Sequence, residues 1–130
     1  MREENSINLG ITKLTDIEPY NDIFAGLHPT MEVSDIVILS GQNLKRGACL
    51  GLINAEANPN NGKYTLWDEN STDGSEVLCG ILGCDVDATN NDGKGFMYVH
   101  GEFLKAGLSA VHDINPGVYN NGSIVIKEDK

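Results

Sequence analysis

From residue 35 onward, the chain contains short stretches of alternating apolar and polar residues, which predict β-strands. Two Asn-Gly pairs, Asn61-Gly62 and Asn121-Gly122, stand directly before two of these stretches. Because Asn-Gly supplies the two positive φ angles of a type I′ turn, the first pair predicts a tight hairpin and the second a turn into the last strand. The predicted strands cover residues 35–40, 48–55, 63–67, 76–86, 95–101 and 123–127.

Segment 76–86 differs from the other stretches because both of its faces are apolar or small. A strand that buries both faces lies inside a sheet, so this segment is predicted to be central. Segment 102–111 has helical spacing and predicts a short helix, although Gly107 weakens it. Its apolar face would consist of Phe103, Ala106, Leu108 and Val111. The pattern as a whole predicts a mainly β domain.

The chain divides into two regions of different character. Residues 1–35 hold seven acids and two bases, and Pro19 and Pro29 interrupt regular structure there. From Ile36 onward, thirteen glycines separate the apolar stretches, as in a small β domain with many tight turns. We therefore expect a partly flexible N-terminal arm over residues 1–35 and a β-rich domain over residues 36–130.

Composition and charge limit the class of protein. Hydrophobic residues make up 40% and charged residues 22% of the 130 positions, which is typical of a folded globular domain. Nineteen acids against nine bases give a net charge of -10, which would repel nucleic acid and anionic membranes. The sequence has neither a recognisable secretory signal nor an apolar run long enough to span a bilayer. A soluble protein is expected, with neither nucleic acid nor membrane as its partner.

The sequence contains no strong candidate for a metal-binding or catalytic site. The cysteines are odd in number and no export signal accompanies them, so reduced, buried thiols are expected at Cys49, Cys79 and Cys84. The residues with suitable atoms for zinc do not have the spacing of a zinc site; they are Cys79, Cys84, His100, Glu102 and His112. A calcium loop over residues 85–96 would need glycine at the position of Asn90. Its candidate ligands are Asp85, Asp87, Thr89 and Asp92. Since the sequence also lacks a recognisable catalytic motif, we predict no metal, cofactor or catalytic residue.

Several short motifs follow one another in a specific order: SGQNLKRG at 40–47, DGSE at 73–76, GIL at 80–82, DVDAT at 85–89 and HGEF at 100–103. In this succession the chain resembles the head decoration proteins of tailed phages, the family of the lambda decoration protein D. The resemblance runs from residue 21 to residue 108. The order of the five motifs is far more specific than any single one of them.

The resemblance implies a small β-clip-like domain with one or two short helices, an extended N-terminal arm and no enzymatic activity. Such proteins assemble as homotrimers and bind the major capsid protein on the outside of the expanded phage head. They sit at local three-fold positions, where they stabilise the shell. The protein would then occur on the capsid exterior of the virion, and in the host cytoplasm during assembly.

The arm is the candidate capsid ligand. Alternating aliphatic residues through INLGITKLTDI are compatible with a strand that pairs with an exposed edge on the capsid. The residues concerned are Ile7, Leu9, Ile11, Leu14 and Ile17. An arm folded back on its own domain as an extra strand is the alternative.

Two other functions stay open at this point. A carbohydrate-binding or host-attachment module could stack sugars on Trp67 or Tyr64, although a tryptophan in a strand is more often part of a core. A trimeric β-clip nucleotide hydrolase, similar to deoxyuridine triphosphatases, would need a glycine-rich basic segment that residues 127–130 do not provide.

Overall fold

The computed structural model describes residues 23–25 and 30–128. In this part, short runs rich in β-branched and aromatic residues form strands, and the helical turns are two three-residue 3-10 segments, Lys105–Gly107 and Asn120–Gly122. The prediction of a mainly β protein is confirmed. No helix in the described residues is long and apolar enough to cross a membrane. The strands are β1 (Met31–Ile38), β2 (Gln42–Leu44), β3 (Cys49–Leu52), β4 (Tyr64–Leu66), β5 (Leu78–Leu82), β6 (Val86–Ala88), β7 (Gly93–Leu104), β8 (Gly117–Tyr119) and β9 (Ile124–Lys127).

Five of the strands form a closed, barrel-like sheet. They pair in the order β1, β4, β3, β5 and β7, and β7 returns to pair with β1. Closure depends on the length of β7, whose 12 residues pair with both β5 and β1. The β1–β4 pair is parallel and joins only Ile38 to Tyr64, whereas the other pairs are antiparallel. The seam between β1 and β4 therefore has the fewest main-chain pairings of the ring.

The C-terminal end of β7 carries further strands. β9 pairs in parallel with residues 101–104, and β8 pairs antiparallel with β9. Residues 23–25 also join this end of β7: the Ala25 amide donates to the Glu102 carbonyl (2.9 Å), and the Leu104 amide donates to the Ile23 carbonyl (2.8 Å). The described chain thus begins beside the end of β7.

Two cores lie on opposite faces of the sheet because successive strand residues point to opposite sides. The inner core fills the ring and contains Leu50 and Leu82. The outer core lies between the sheet and the C-terminal strands, and it contains Cys49 and Ile81. β5 therefore buries both of its faces, as predicted for the central strand.

The predicted helix over residues 102–111 is wrong. Residues 102–104 complete β7, and only Lys105–Gly107 is helical, as a single 3-10 turn. Phe103 is fully buried and pairs with Ile126 of β9, whereas Val111 is 49% exposed, so these side chains do not share one face. Pairing with strands distant in sequence outweighs a weak local helical preference.

Segment 76–86 is not one strand, because β5 ends at Leu82 and the chain turns before β6 begins at Val86. The Gly83 amide still bonds to the Phe96 carbonyl of β7, but the following residues leave the ring to pair with β2. The antiparallel pairing of β3 with β4 is confirmed, but the tight type I′ turn is wrong. Residues 53–63 separate the two strands, and Gly62 has a φ of 95° whereas Asn61 has no positive φ. The second Asn-Gly pair does precede the last strand, as predicted.

The arm is only partly described. β1 begins at Met31, inside the predicted arm, and Ile23 and Ala25 are buried. Residues 1–22 lie outside the described residues, so the extended arm and the division at residue 35 stay predictions. The β-clip-like architecture also stays a prediction.

Candidate interaction surfaces

Two of the sequence motifs form a small two-stranded sheet against the ring. β2 belongs to SGQNLKRG and β6 to DVDAT, and Leu44 pairs with Val86 across them. Both of these side chains are buried in the inner core. The two motifs are also joined outside the strands, because the Arg46 amide donates to a carboxylate oxygen of Asp85 at 2.8 Å. This two-stranded sheet therefore covers part of the inner core.

Gln42 reinforces the seam between β1 and β4, where the main chain contributes the Leu39 amide to Tyr64 carbonyl bond at 2.9 Å. Its Nε2 donates to the Leu39 carbonyl at 2.9 Å, on the segment that follows β1. Its Oε1 accepts from the Leu66 amide and from the Thr65 hydroxyl, each at 3.0 Å, on β4. One side-chain amide thus replaces main-chain hydrogen bonds at this seam.

The DGSE motif forms a turn packed against β3. The carboxylate of Asp73 accepts from the Ser75 hydroxyl and amide and from the Ser71 hydroxyl, and these bonds hold its pKa below the usual 3.8. Ser75 is fully buried, and a Cβ on Gly51 would lie only 2.7 Å from the Ser75 carbonyl carbon. Glycine at position 51 is therefore what allows the turn to approach the strand.

Trp67 is part of the core. It is 7% exposed, its Nε1 donates to the Glu76 carbonyl at 2.8 Å, and its ring packs edge-on against Tyr119. Tyr64 is half-buried and packs against the inner core. Trp67 therefore lacks the exposed face on which a sugar could stack, and the carbohydrate-binding alternative loses its main residue.

The candidate zinc ligands lie apart. His100 and Glu102 are half-buried on β7, whereas His112 is exposed and contacts Asp68, with 3.0 Å between Nε2 and Oδ1. Burial raises the pKa of Cys79 to about 11 and that of Cys49 to about 12, and both thiols are free. No cluster of three or more metal-ligating side chains exists among the described residues.

The candidate calcium ligands make separate local hydrogen bonds. Asp87 accepts from the amide and hydroxyl of Thr89, and Asp92 accepts from the Ser40 amide and pairs with Lys63 at 2.8 Å. Such bonds are typical of Asp-rich turns.

Two strand edges are open within the described residues. β1 pairs with β7 along one edge, but only its last residue pairs with β4 on the other, and Met31 is 59% exposed. β8 pairs with β9 only, and its Val118 is 68% exposed. Open edges and exposed apolar side chains are common contact points for partner chains.

An aromatic groove lies on the outer side of β7. Its cavity measures about 440 Å³, and we define it by its lining residues Phe24, Arg46, Gly83, Cys84, Asp85, Phe96 and Tyr98. Sequence reasoning missed this groove. The one available signal was that two aromatic residues, Phe96 and Tyr98, stand two positions apart in a strand and so share a face.

The five predicted capsid-binding residues, Ile7, Leu9, Ile11, Leu14 and Ile17, lie outside the described residues. What the structure does fix is where the arm joins the fold, at Ile23 beside Leu104. The candidate interaction surfaces formed by the described residues are the two open strand edges and the aromatic groove.

The described residues thus form a small β protein with two open strand edges and an aromatic groove, which are surfaces to which a partner chain can bind. The model of the family of the bacteriophage lambda head decoration protein D matches residues 23–118, so the chain belongs to this family. The resemblance seen in the sequence is thus confirmed, and the protein is a structural phage head decoration protein that binds the exterior of the phage capsid. No curated protein matches the chain.

Proposed function

We propose that the protein binds as a homotrimer to the outside of the expanded head, at local three-fold positions, and stabilises the shell. The observation that carries this proposal is the family match over residues 23–118. A local three-fold position offers three equivalent sites, and a cyclic trimer occupies all of them with identical contacts. The protein would reach these sites from the host cytoplasm during assembly.

Stabilisation follows from binding to the assembled shell alone. A trimer that bridges neighbouring capsomers binds the expanded lattice but not the separated subunits. Each site then stabilises the shell by RT ln(1 + [L]/Kd), about 2.7 kcal/mol at a hundredfold excess over Kd, and the effect is repeated over many sites. This mode of action needs no catalytic step, metal or cofactor. The net charge of -10 supports a protein partner rather than nucleic acid or an anionic membrane.

The arm supplies the capsid contact in this proposal. Ile7, Leu9, Ile11, Leu14 and Ile17 are the residues that would pair with an exposed strand edge of the major capsid protein. Support comes from their alternation and from the position of Ile23, where the chain joins the end of β7. Residues 1–22 of the sequence precede this point, and an extended segment of that length reaches about 70 Å.

Co-sedimentation with expanded heads that lack decoration protein tests the proposal. A variant without residues 1–17 should remain a folded trimer by light scattering and should lose most of its binding. A variant without residues 1–5 is the matched control, because it keeps all five aliphatic residues and should bind like the full chain. Unchanged binding by the longer deletion, or its unfolding, would refute the arm as the capsid ligand. A full chain that is monomeric both free and on heads would refute the trimer.

A further inference from the structure

The aromatic groove is an apolar surface without a partner among the described residues. Phe24, Phe96 and Tyr98 are each half-buried, and their rings form one continuous group. The centroids of Phe24 and Tyr98 are 5.1 Å apart, those of Phe96 and Tyr98 are 5.6 Å apart, and both pairs meet edge to face. A cavity of about 440 Å³ beside such a group is large enough to take an aromatic side chain.

The groove has a positive side. The guanidinium carbon of Arg46 lies 5.7 Å from the centroid of Phe24, so the cation sits over one aromatic wall of the groove. Asp85 also borders the groove, but its carboxylate already accepts the Arg46 amide. Arg46 is therefore the cation that an acidic segment entering the groove would meet.

The segment directly before the described chain has the complementary composition. Residues 18–22 read EPYND, with two acids, no base and one aromatic side chain, Tyr20. The segment continues into Ile23 and then Phe24, which itself lines the groove. Pro19 interrupts regular structure and favours a change of direction.

The length of chain is sufficient for Tyr20 to reach the groove. Tyr20 stands four residues before Phe24, which allows a reach of about 13 Å in an extended chain. The ring centroids of Phe24 and Tyr98 are 5.1 Å apart and those of Tyr98 and Phe96 are 5.6 Å apart, and the sum of these two distances is within this reach.

We propose that Tyr20 inserts into the aromatic groove, with Glu18 and Asp22 on its Arg46 side, so that residues 18–22 anchor the root of the arm to its own subunit. The anchor leaves Ile7 to Ile17 outside the groove. It concerns the free protein and does not depend on capsid binding. An anchored root would also fix the direction in which the arm leaves the body.

Fluorescence quenching of the full-length protein tests the contact directly. Trp67 is buried and gives a constant background, so a second tryptophan reports its own surroundings. Tyr20→Trp should give a blue-shifted emission and several-fold weaker quenching by acrylamide than Ile11→Trp, the matched variant elsewhere in the arm. Equal quenching of the two introduced tryptophans would overturn the proposal.

Thermal unfolding gives an independent test. Tyr20→Ala should lower Tm by about 5–10 °C, because a buried aromatic side chain is exposed, whereas Ile11→Ala should change it by less than about 1 °C. Phe96→Ala removes the opposite wall of the groove. If the residues touch, Tyr20→Ala should have a smaller effect in the Phe96→Ala background than alone, and fully additive effects would contradict the contact.

Other occupants of the groove predict other results. Protection of the Tyr20→Trp side chain that disappears on dilution would indicate a second copy of the chain. Protection that appears only on phage heads would indicate the capsid. Coupling of Phe96→Ala to Leu27→Ala, without coupling to Tyr20→Ala, would assign the groove to the loop at 26–29. Each of these results would overturn the proposal.

Discussion

Replacing Gln42 by alanine should open the seam between β1 and β4. The side-chain amide makes three hydrogen bonds there: one to the Leu39 carbonyl at 2.9 Å, and one each from the Leu66 amide and the Thr65 hydroxyl at 3.0 Å. The Leu66 amide is the most important of these partners, because it is a main-chain donor of β4 at a position where β1 no longer pairs with β4. Without Gln42 this donor has no protein partner in the described contacts.

The cost follows from these contacts. A hydrogen bond contributes about 1 kcal/mol net, and a buried donor left without a partner costs about 1–3 kcal/mol. The site is half-buried, so water replaces part of what is lost. We expect Gln42→Ala to lower the free energy of unfolding by about 2 kcal/mol, which corresponds to a fall in Tm of about 6–10 °C.

Denaturant and thermal unfolding at one fixed protein concentration measure the change, since the stability of an oligomer depends on concentration. Asn43→Ala is the matched control: it removes a side-chain amide from the adjacent, exposed position of the same strand and should cost less than about 0.5 kcal/mol. If Gln42→Ala is no more destabilising than Asn43→Ala, the seam does not depend on this side chain.

Three further predictions concern the DGSE turn and the thiols. Gly51→Ala should destabilise the fold by more than about 3 kcal/mol, because the new Cβ would lie 2.7 Å from the Ser75 carbonyl carbon. Gly117→Ala is the control and should be tolerated, because the nearest atom to its new Cβ is 4.0 Å away, and equal unfolding midpoints for the two variants would contradict this prediction. The pKa of Asp73 in the folded protein lies below the usual 3.8, so its contribution to stability is present above pH 3.8 and is lost as pH falls through the folded pKa. The Asp73→Asn variant should therefore lose less stability than the natural chain between pH 6 and pH 2. Parallel curves of unfolding free energy against pH for the two proteins would refute this prediction. Cys49 and Cys79, with pKa values raised to about 12 and about 11, should resist alkylation at pH 8 in the folded protein, and mass spectrometry that finds them modified before unfolding would contradict their burial.

The strands were predictable because their signals are local. The alternation in 123–127 and the apolar faces of 76–86 both reflect the pleat of a strand, and both led to strands in the fold. The Asn121-Gly122 turn also follows from the two residues themselves. These elements need no knowledge of distant parts of the chain.

The failures depended on contacts that are distant in sequence. Phe103 stands at helical spacing from Ala106, but its strand state is determined by pairing with Ile126, which is 23 positions away. The role of Gln42 depends on Leu66, 24 positions away, which no local pattern shows. The aromatic groove similarly joins Phe24 to Tyr98. Motif order identified the family without explaining these contacts.

Imaging of expanded, undecorated phage heads mixed with the full-length protein tests the central claim most directly. We expect trimer-shaped density on the outer surface at every local three-fold position, and none on unexpanded heads. Heads that stay bare at saturating protein, or that carry density at other positions or on the inner surface, would contradict it.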